Sequence, residues 1–518
     1  MWGGTEARNM ASAEKGLPTD VDPGEVLSGG GYDPAAGRHL KWAARLGTIT
    51  CGSPVVAAGR IFVGTNNGHP RDVRYEGDRG VLLCLDEATG KLAWEMAVPA
   101  VPPQSIHMFY PHLGLCSTPA VEGDRLYLVT NRCEAAALTI RGLAGGNEGP
   151  FRDEDTYFAP PTSIGFGPAV VAEGPLFRLR SDKAILEIKP ARHPVTLGAG
   201  DADVVWLYDM INKLRVWPHD AAGSSVLVHG DLVFVTTCNG ADNTHRHIPS
   251  PHAPVLAAFD KKTGVLVATD DGSISPRILE GSWSSPALAR LADRTLVVLG
   301  GPDGVCYGFD ASPVPADHPG EPGRLRKVWW CDGNPPSARY RDREAVKFPS
   351  HSGPSEIIAT PVFNGGRVYV AIGQDTRHGA APGRLMAIDP AGAGDLTDKS
   401  VWQYDKISRT LSTVSVADGL LYVADVDGSV HCLDAATGKR RWVQETGELV
   451  SGSTLVADGK VYVGTEKGTL WVLAAGPEPK VLAKVALGSA IYTTPVAANG
   501  VLYVAACRYL FAFAQGGR

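Results

Sequence analysis

The sequence contains nine cysteines but no Cys-x-x-Cys, no Cys-x-x-Cys-His and no two cysteines side by side. Covalent haem attachment and zinc-ribbon binding are excluded on that ground. No two cysteines stand closer than the 17 residues from Cys116 to Cys133, and an odd total leaves at least one outside any disulfide within the chain. A run of about 18 apolar residues, the least that crosses a bilayer as a helix, is also missing, so no membrane-spanning helix is expected. Nor is there an excess of positive charge: the net charge is −6 and the pI about 6.2, which excludes the basic footprint of a nucleic-acid surface. The opening Met-Trp-Gly-Gly is not followed by a basic stretch and apolar core, so no signal peptide is legible there.

One short pattern is present eight times. A Ser/Thr-Pro-type lead-in is followed by a strand, a tight Gly/Asp turn, a second strand of the Val-Tyr-Val type, and a third strand ending in an apolar-Asp pair. Residues 411–434, 451–474 and 492–514 show it most plainly. The lead-in proline or its equivalent marks the register at Pro54, Pro119, Val226, Pro286, Pro361, Val414, Thr454 and Pro495. The last three marks are 40 and 41 residues apart, the length of a four-stranded propeller blade. The 61 glycines and 38 prolines suit many short strands joined by tight turns.

Fourth strands carry a recurring tryptophan: Trp42, Trp94, Trp206, Trp329, Trp402 and Trp442. An indole at one place per repeat can lie in the seam between blades and cover area that no single blade buries alone. A fourth-strand candidate at 40–46 precedes the first mark, whereas the chain ends after a third strand. The fold predicted is therefore an all-β, eight-bladed propeller of four-stranded antiparallel blades, its last blade completed by the N-terminal strand, which leaves no open edge. Residues 1–39 are read as an N-terminal extension and 40–518 as one propeller, with insertions near 66–79, 98–111, 141–202, 239–251, 311–324, 333–356 and 374–382. The 141–202 excursion is too long for an idle turn and is expected to wrap the rim or cover an edge.

The repeat and its tryptophan pattern resemble the PQQ-binding-like β-propeller repeat family, which includes quinoprotein alcohol dehydrogenases and the lipoprotein propeller of outer-membrane-protein assembly. The resemblance covers residues 40–514 and implies a periplasmic or extracellular location. It speaks to fold more than to activity.

Most turns between first and second strands are minimal, and all but two of the insertions emerge on the opposite face, over blades 1 to 5. Long loops on one face of a rigid scaffold are where binding and catalysis usually sit. Nine of the 14 histidines fall there: His69, His107, His112, His219, His245, His247, His252, His351 and His378. His112 and His219 each precede a register mark by seven residues, in the matching contexts Tyr-Pro-His and Trp-Pro-His, and His351 echoes them. Convergence of these three at the channel mouth would suit a transition metal such as zinc or copper, and Met108 beside His107 would favour copper. Packed turns with backbone-bonded imidazoles are the alternative. Cys51 and Cys116 each stand three residues before the lead-in proline of adjacent blades; they are read first as core packing and second as a thiol pair facing the tunnel. Arg339, Arg341, Arg343 and Lys347 are read first as a solvated loop and second as an anion-binding rim.

In the resembled dehydrogenases PQQ lies in the axial channel between a tryptophan and a disulfide of adjacent cysteines, beside a calcium or lanthanide ion. That cysteine pair is missing here, and Trp283 is the one residue offered as a stacking surface. Three readings stand: an exported propeller with a ligand-binding, metal-binding or redox site on the histidine-rich face; a PQQ-dependent oxidoreductase with an altered channel; and a scaffold holding a protein partner.

Overall fold

A computed structural model of the chain describes all residues except 102–109, 167–169, 174–175, 180–185, 190, 192, 243–246, 342–343, 346–353, 376–380 and 517–518. Eight four-stranded antiparallel sheets form the blades of one propeller. Their innermost strands are only three or four residues long, from Val55–Ala57 in blade 1 to Val496–Ala498 in blade 8. The minimal turns after them are real hairpin turns. Ala58-Gly59, Asp418-Gly419, Asp458-Gly459 and Asn499-Gly500 have φ of 51–53° at the first residue and 69–75° at the second, the left-handed pair whose twist matches the flanking strands. Blade 8 closes as expected: Leu40–Arg45 pairs antiparallel with Tyr509–Ala514, Leu40 opposite Phe513 and Arg45 opposite Tyr509.

The tryptophans hold the seams. Five of the six recurring fourth-strand indoles, all but Trp329, donate across a blade boundary to a backbone carbonyl: Trp42 to Glu87 (3.1 Å), Trp94 to Ile140 (3.0 Å), Trp206 to Lys261 (3.0 Å), Trp402 to Ala435 (3.0 Å) and Trp442 to Gly476 (2.9 Å). The Thr-Gly turn of the next blade closes beneath the ring. A Cβ on Gly90, Gly264 or Gly438 would lie within 2.6 Å of Trp42, Trp206 or Trp402, so glycine is required there by space as well as by its positive φ.

The Ser/Thr of the lead-in has an equally regular task. At seven of the eight blade boundaries the hydroxyl accepts from the backbone N–H of the equivalent residue one blade earlier. Ser53 N–H donates to Thr118 (2.9 Å), Thr118 to Ser225 (3.2 Å), Ser225 to Ser285 (2.9 Å), Ser285 to Thr360 (3.2 Å), Thr360 to Thr413 (3.0 Å) and Thr413 to Ser453 (2.9 Å), while Thr494 N–H donates to Ser53 (3.0 Å). A hydroxyl girdle thus stitches the inner strands together around the axis. Thr118→Val, which keeps the shape but removes the acceptor from a buried N–H, is expected to cost about 1–3 kcal/mol in urea unfolding. Thr118→Ser should cost clearly less; equal losses would discount the girdle.

The residues before the closing strand thread the axis rather than trail from it. Backbone N–H groups of Leu288 and Phe363 donate to Glu6 and Ala7 carbonyls (2.8 and 3.0 Å). The Asn9 side chain exchanges two 2.8 Å hydrogen bonds with Val416, and Ala11–Ser12 pairs parallel with Leu455–Ala457. The segment therefore walks along the inner strands of blades 4, 5, 6 and 7 in turn, and Ser12 hydroxyl reaches Ala497 of blade 8. Arg8 is fully buried. It donates to carbonyls of Pro286 (3.0 Å), Val226 (2.7 Å), Ser225 (3.4 Å) and Trp2 (3.0 Å). Burial pulls its pKa down to about 10, with Glu6 opposing, so the guanidinium stays charged at neutral pH.

The excursions cap outer edges. Backbone pairs join Glu95 to Gly200 and Ala202 (2.9 and 3.0 Å) along the outer strand of blade 1, Leu92–Pro99. Gly323–Arg324 and Gly394–Asp395 add parallel strands outside blades 3 and 4. Each covers unpaired N–H and C=O groups that would otherwise invite another strand. Among the described residues no helix is long and apolar enough to cross a membrane.

Candidate functional site

Three residues before each register mark, the chain turns into its inner strand. This position contributes one residue per blade to a cup on the axis: Cys51, Cys116, Gly223, Trp283, Ile358, Leu411, Ser451 and Tyr492. The hydroxyl girdle lies two residues further along and, Thr413 apart, lines the same space, and Trp2 closes it from the side of the threaded segment, donating to the Thr494 hydroxyl (3.3 Å). The void is about 200 Å³. No Lys, Arg, Asp or Glu lines it among the described residues.

Cys51 and Cys116 are both partly buried and both face this void. The reading as a thiol pair facing the tunnel is the one that matches their placement. A hydrogen bond to Cys116, with burial and the charge of Cys116 adding to it, holds the Cys51 thiol well above its ordinary pKa.

Behind Trp283 lies a buried acid–base cluster. Trp283 Nε1–H donates to the His219 carbonyl (3.0 Å), and the two rings are 5.8 Å apart. His219, 1% exposed, has Nδ1 on the Ala241 carbonyl at 2.9 Å, which fixes that nitrogen as the donor. Its Nε2 therefore faces Glu280 Oε1 at 3.6 Å and Asp220 Oδ2 at 3.9 Å. Gly240 makes the approach feasible, since a Cβ there would lie 2.4 Å from His219 Cβ and 2.7 Å from the Glu280 carbonyl. Glu280 in turn meets Glu356, and both are fully buried. Burial, then the charge of Glu280, pushes the Glu356 carboxyl well above its ordinary pKa. Two carboxyls this close favour keeping a proton between them. Burial alone would lower the pKa of His219, but Glu280 and Asp220 together raise it. Glu356 and His219, both with raised pKa values, form a proton-holding array with the Glu280 carboxyl between them.

Sequence reasoning missed this array. Glu280 and Glu356 stand six and five residues before their marks, in the blades following that of His219; acids at equivalent depth in consecutive blades were the available signal. Of the three proposed metal ligands, His219 is in the cluster. His112 is at the surface, its side chain 73% exposed and its Nδ1 3.5 Å from Asp78; His351 lies outside the described residues. So do His107, Met108, His245 and His378, and likewise Arg343 and Lys347. His69 and His252 are exposed, and His247 rests on Asp242 at 3.1 Å. Arg339 is ion-paired with Asp332 at 3.5 Å. Among the described residues no group of three His, Cys, Asp or Glu side chains is arranged to hold a metal ion.

The family model described as "Outer membrane protein assembly factor BamB", a PQQ-like repeat model, matches residues 29–144 and 381–476. The outer membrane protein assembly factor BamB of Burkholderia pseudomallei is 35% identical over 95 residues, 18% of this chain and 24% of that protein. The quinohemoprotein alcohol dehydrogenase ADH IIB of Pseudomonas putida is 29% identical over 122 residues, 20% of this chain and 16% of that protein. Matches to these curated relatives thus span a quarter of their length or less. A solved europium-containing methanol dehydrogenase superposes with a TM-score of 0.57 at 12% identity, covering 98% of this chain and 88% of that one, which is a likeness of fold. Among the described residues the cup lining offers no cation to the three carboxylates of PQQ, the acids Glu280 and Glu356 stand behind Trp283, and the donors of Arg8 are committed to carbonyls, so the described lining does not fit that cofactor.

Proposed function

We propose that this chain, a propeller of PQQ-like repeats, is an exported small-molecule-binding protein whose ligand occupies the axial cup, stacked on Trp283. The composition of the ring supports the reading: two aromatic and two aliphatic side chains, two thiols and a belt of hydroxyls surround a space closed on one side by Trp2. Such a lining favours a flat, uncharged, hydroxylated ligand, with the ring on the indole and the hydroxyl toward the girdle. A void of about 200 Å³ suits a phenol or aromatic alcohol; it is smaller than the ~300–1,000 Å³ of sites for drug-sized ligands. The His219–Glu280–Glu356 array one indole away supplies protonatable groups at the cup wall. An exported location is supported by the match to a factor of outer membrane protein assembly.

Calorimetric titration with 4-hydroxybenzyl alcohol tests the reading. Wild-type protein should bind, and Trp283→Ala should bind about three- to tenfold more weakly, the worth of one aromatic stack. Trp283→Phe should restore most of the loss. No binding by the wild type, or equal affinity in Trp283→Ala, would reject it. PQQ added with calcium should produce no change in the quinone absorbance. A second reading, a scaffold that holds another protein on the loop-bearing face, rests on the family-model match; stable co-purification of a partner from the native host would favour it.

A further inference from the structure

The side chains of Cys51 and Cys116, from adjacent blades, interact at one wall of the cup. Cys51 precedes the inner strand of blade 1 and Cys116 that of blade 2, both three residues from the register mark. Their backbones are drawn together by the girdle, where Ser53 N–H donates to Thr118 Oγ1 at 2.9 Å. A Cβ on Gly52 would lie 3.2 Å from the Cys116 carbonyl oxygen, and one on Gly223 would lie 3.6 Å from Cys116 Cβ. Both thiols border the void, whereas Cys84, Cys133, Cys238, Cys306, Cys331, Cys432 and Cys507 are buried and do not line it. No third His, Cys, Asp or Glu completes a metal site with them among the described residues.

We infer that Cys51 and Cys116 are a dithiol–disulfide couple facing the cup, which exchanges two electrons with small organic disulfides that enter it. The inference rests on the reading that small molecules reach the cup. One thiol loses its proton to solvent and attacks a sulfur of the disulfide RSSR, forming a mixed disulfide and expelling RS⁻, which takes up a proton. The second thiol, deprotonated in turn, attacks the protein sulfur of the mixed disulfide and expels the second RS⁻. One S–S bond breaks and one forms; the protein pair is oxidised by two electrons, RSSR is reduced to two RSH, and the reverse reaction regenerates the dithiol. Because the thiolate is the nucleophile, the exchange accelerates as pH rises, and the raised pKa of Cys51 holds its rate down near neutral pH. In the oxidised form the bond ties blade 1 to blade 2 at the axis.

The experiment uses the full-length protein, pre-reduced and desalted, incubated under native conditions with bis(2-hydroxyethyl) disulfide and then quenched with acid. Intact mass and peptide mapping should show a loss of about 2 Da and a single Cys51–Cys116 cross-linked peptide, reversed by dithiothreitol. Cys133 and Cys238, a second thiol pair that is fully buried, should stay reduced and serve as the internal control. Cys51→Ser should instead retain one hydroxyethylthio group on Cys116. Nine thiols still alkylatable after unfolding, a wild-type mass gain without the cross-link, or a cross-link at Cys133–Cys238 alone would each overturn the inference. These outcomes are independent of the Trp283 titration, so the couple and the ligand reading can fail separately.

Discussion

Replacing Trp94 by alanine is expected to lower the unfolding free energy by about 3–5 kcal/mol, read as a fall in the urea midpoint. The indole is 2% exposed, packs 5.9 Å from the Phe62 ring within its own blade, and presses against Gly142 of the neighbouring excursion, where a Cβ would lie 2.9 Å from it. Alanine leaves a cavity that two blades would have to collapse together and strips the Ile140 carbonyl of its donor. Trp94→Phe, which retains a ring but not the donor, should cost about 1–2 kcal/mol. A loss under about 1 kcal/mol for the alanine variant would contradict the seam role, and by extension that of Trp42, Trp206, Trp402 and Trp442.

The second large effect is a pH dependence. Glu356 has a folded-state pKa well above its ordinary value because of burial and Glu280. As pH rises above the unfolded value of about 4.3, the unfolded chain releases the proton while the folded chain retains it, so stability falls up to the folded pKa and levels beyond it. His219 works in the same direction. Its folded pKa is raised, so its contribution is full below its unfolded pKa and is lost as pH passes the folded one. Glu356→Gln keeps the shape without the ionisation. Its stability should match or fall below wild type at pH 4 and exceed it at pH 8, with the gap widening in between. Parallel urea midpoints at pH 4, 6 and 8 would show that the two carboxyls do not share a proton.

Much of this architecture was legible because propeller blades repeat. The register marks placed the inner strands, the recurring tryptophans placed the seams, and the unpaired fourth strand at 40–46 announced how the ring closes. The Ser/Thr before each mark was legible as a pattern, yet its task, accepting the N–H of the previous blade, appears only in three dimensions. The threaded segment was illegible for a physical reason: it is held mainly by backbone and polar side-chain hydrogen bonds, which impose no alternation of apolar residues. Equal offset also misled at the histidines. His112 takes φ of +60° and turns outward, while His219, at the same offset, does not have positive φ and packs inward on Trp283. Repeat position fixes where the chain is, and backbone conformation decides where the side chain points. The acids Glu280 and Glu356 escaped because their offsets differ by one residue, the slack of loops that enter blades of unequal length.

A crystal of the protein soaked with 4-hydroxybenzyl alcohol asks most directly whether the pore is a binding pocket. The ligand ring should lie on the Trp283 indole with its hydroxyl within hydrogen-bond distance of a Ser or Thr of the girdle. Density confined to other surfaces, with the space above Trp2 unchanged at full ligand saturation, would contradict the account.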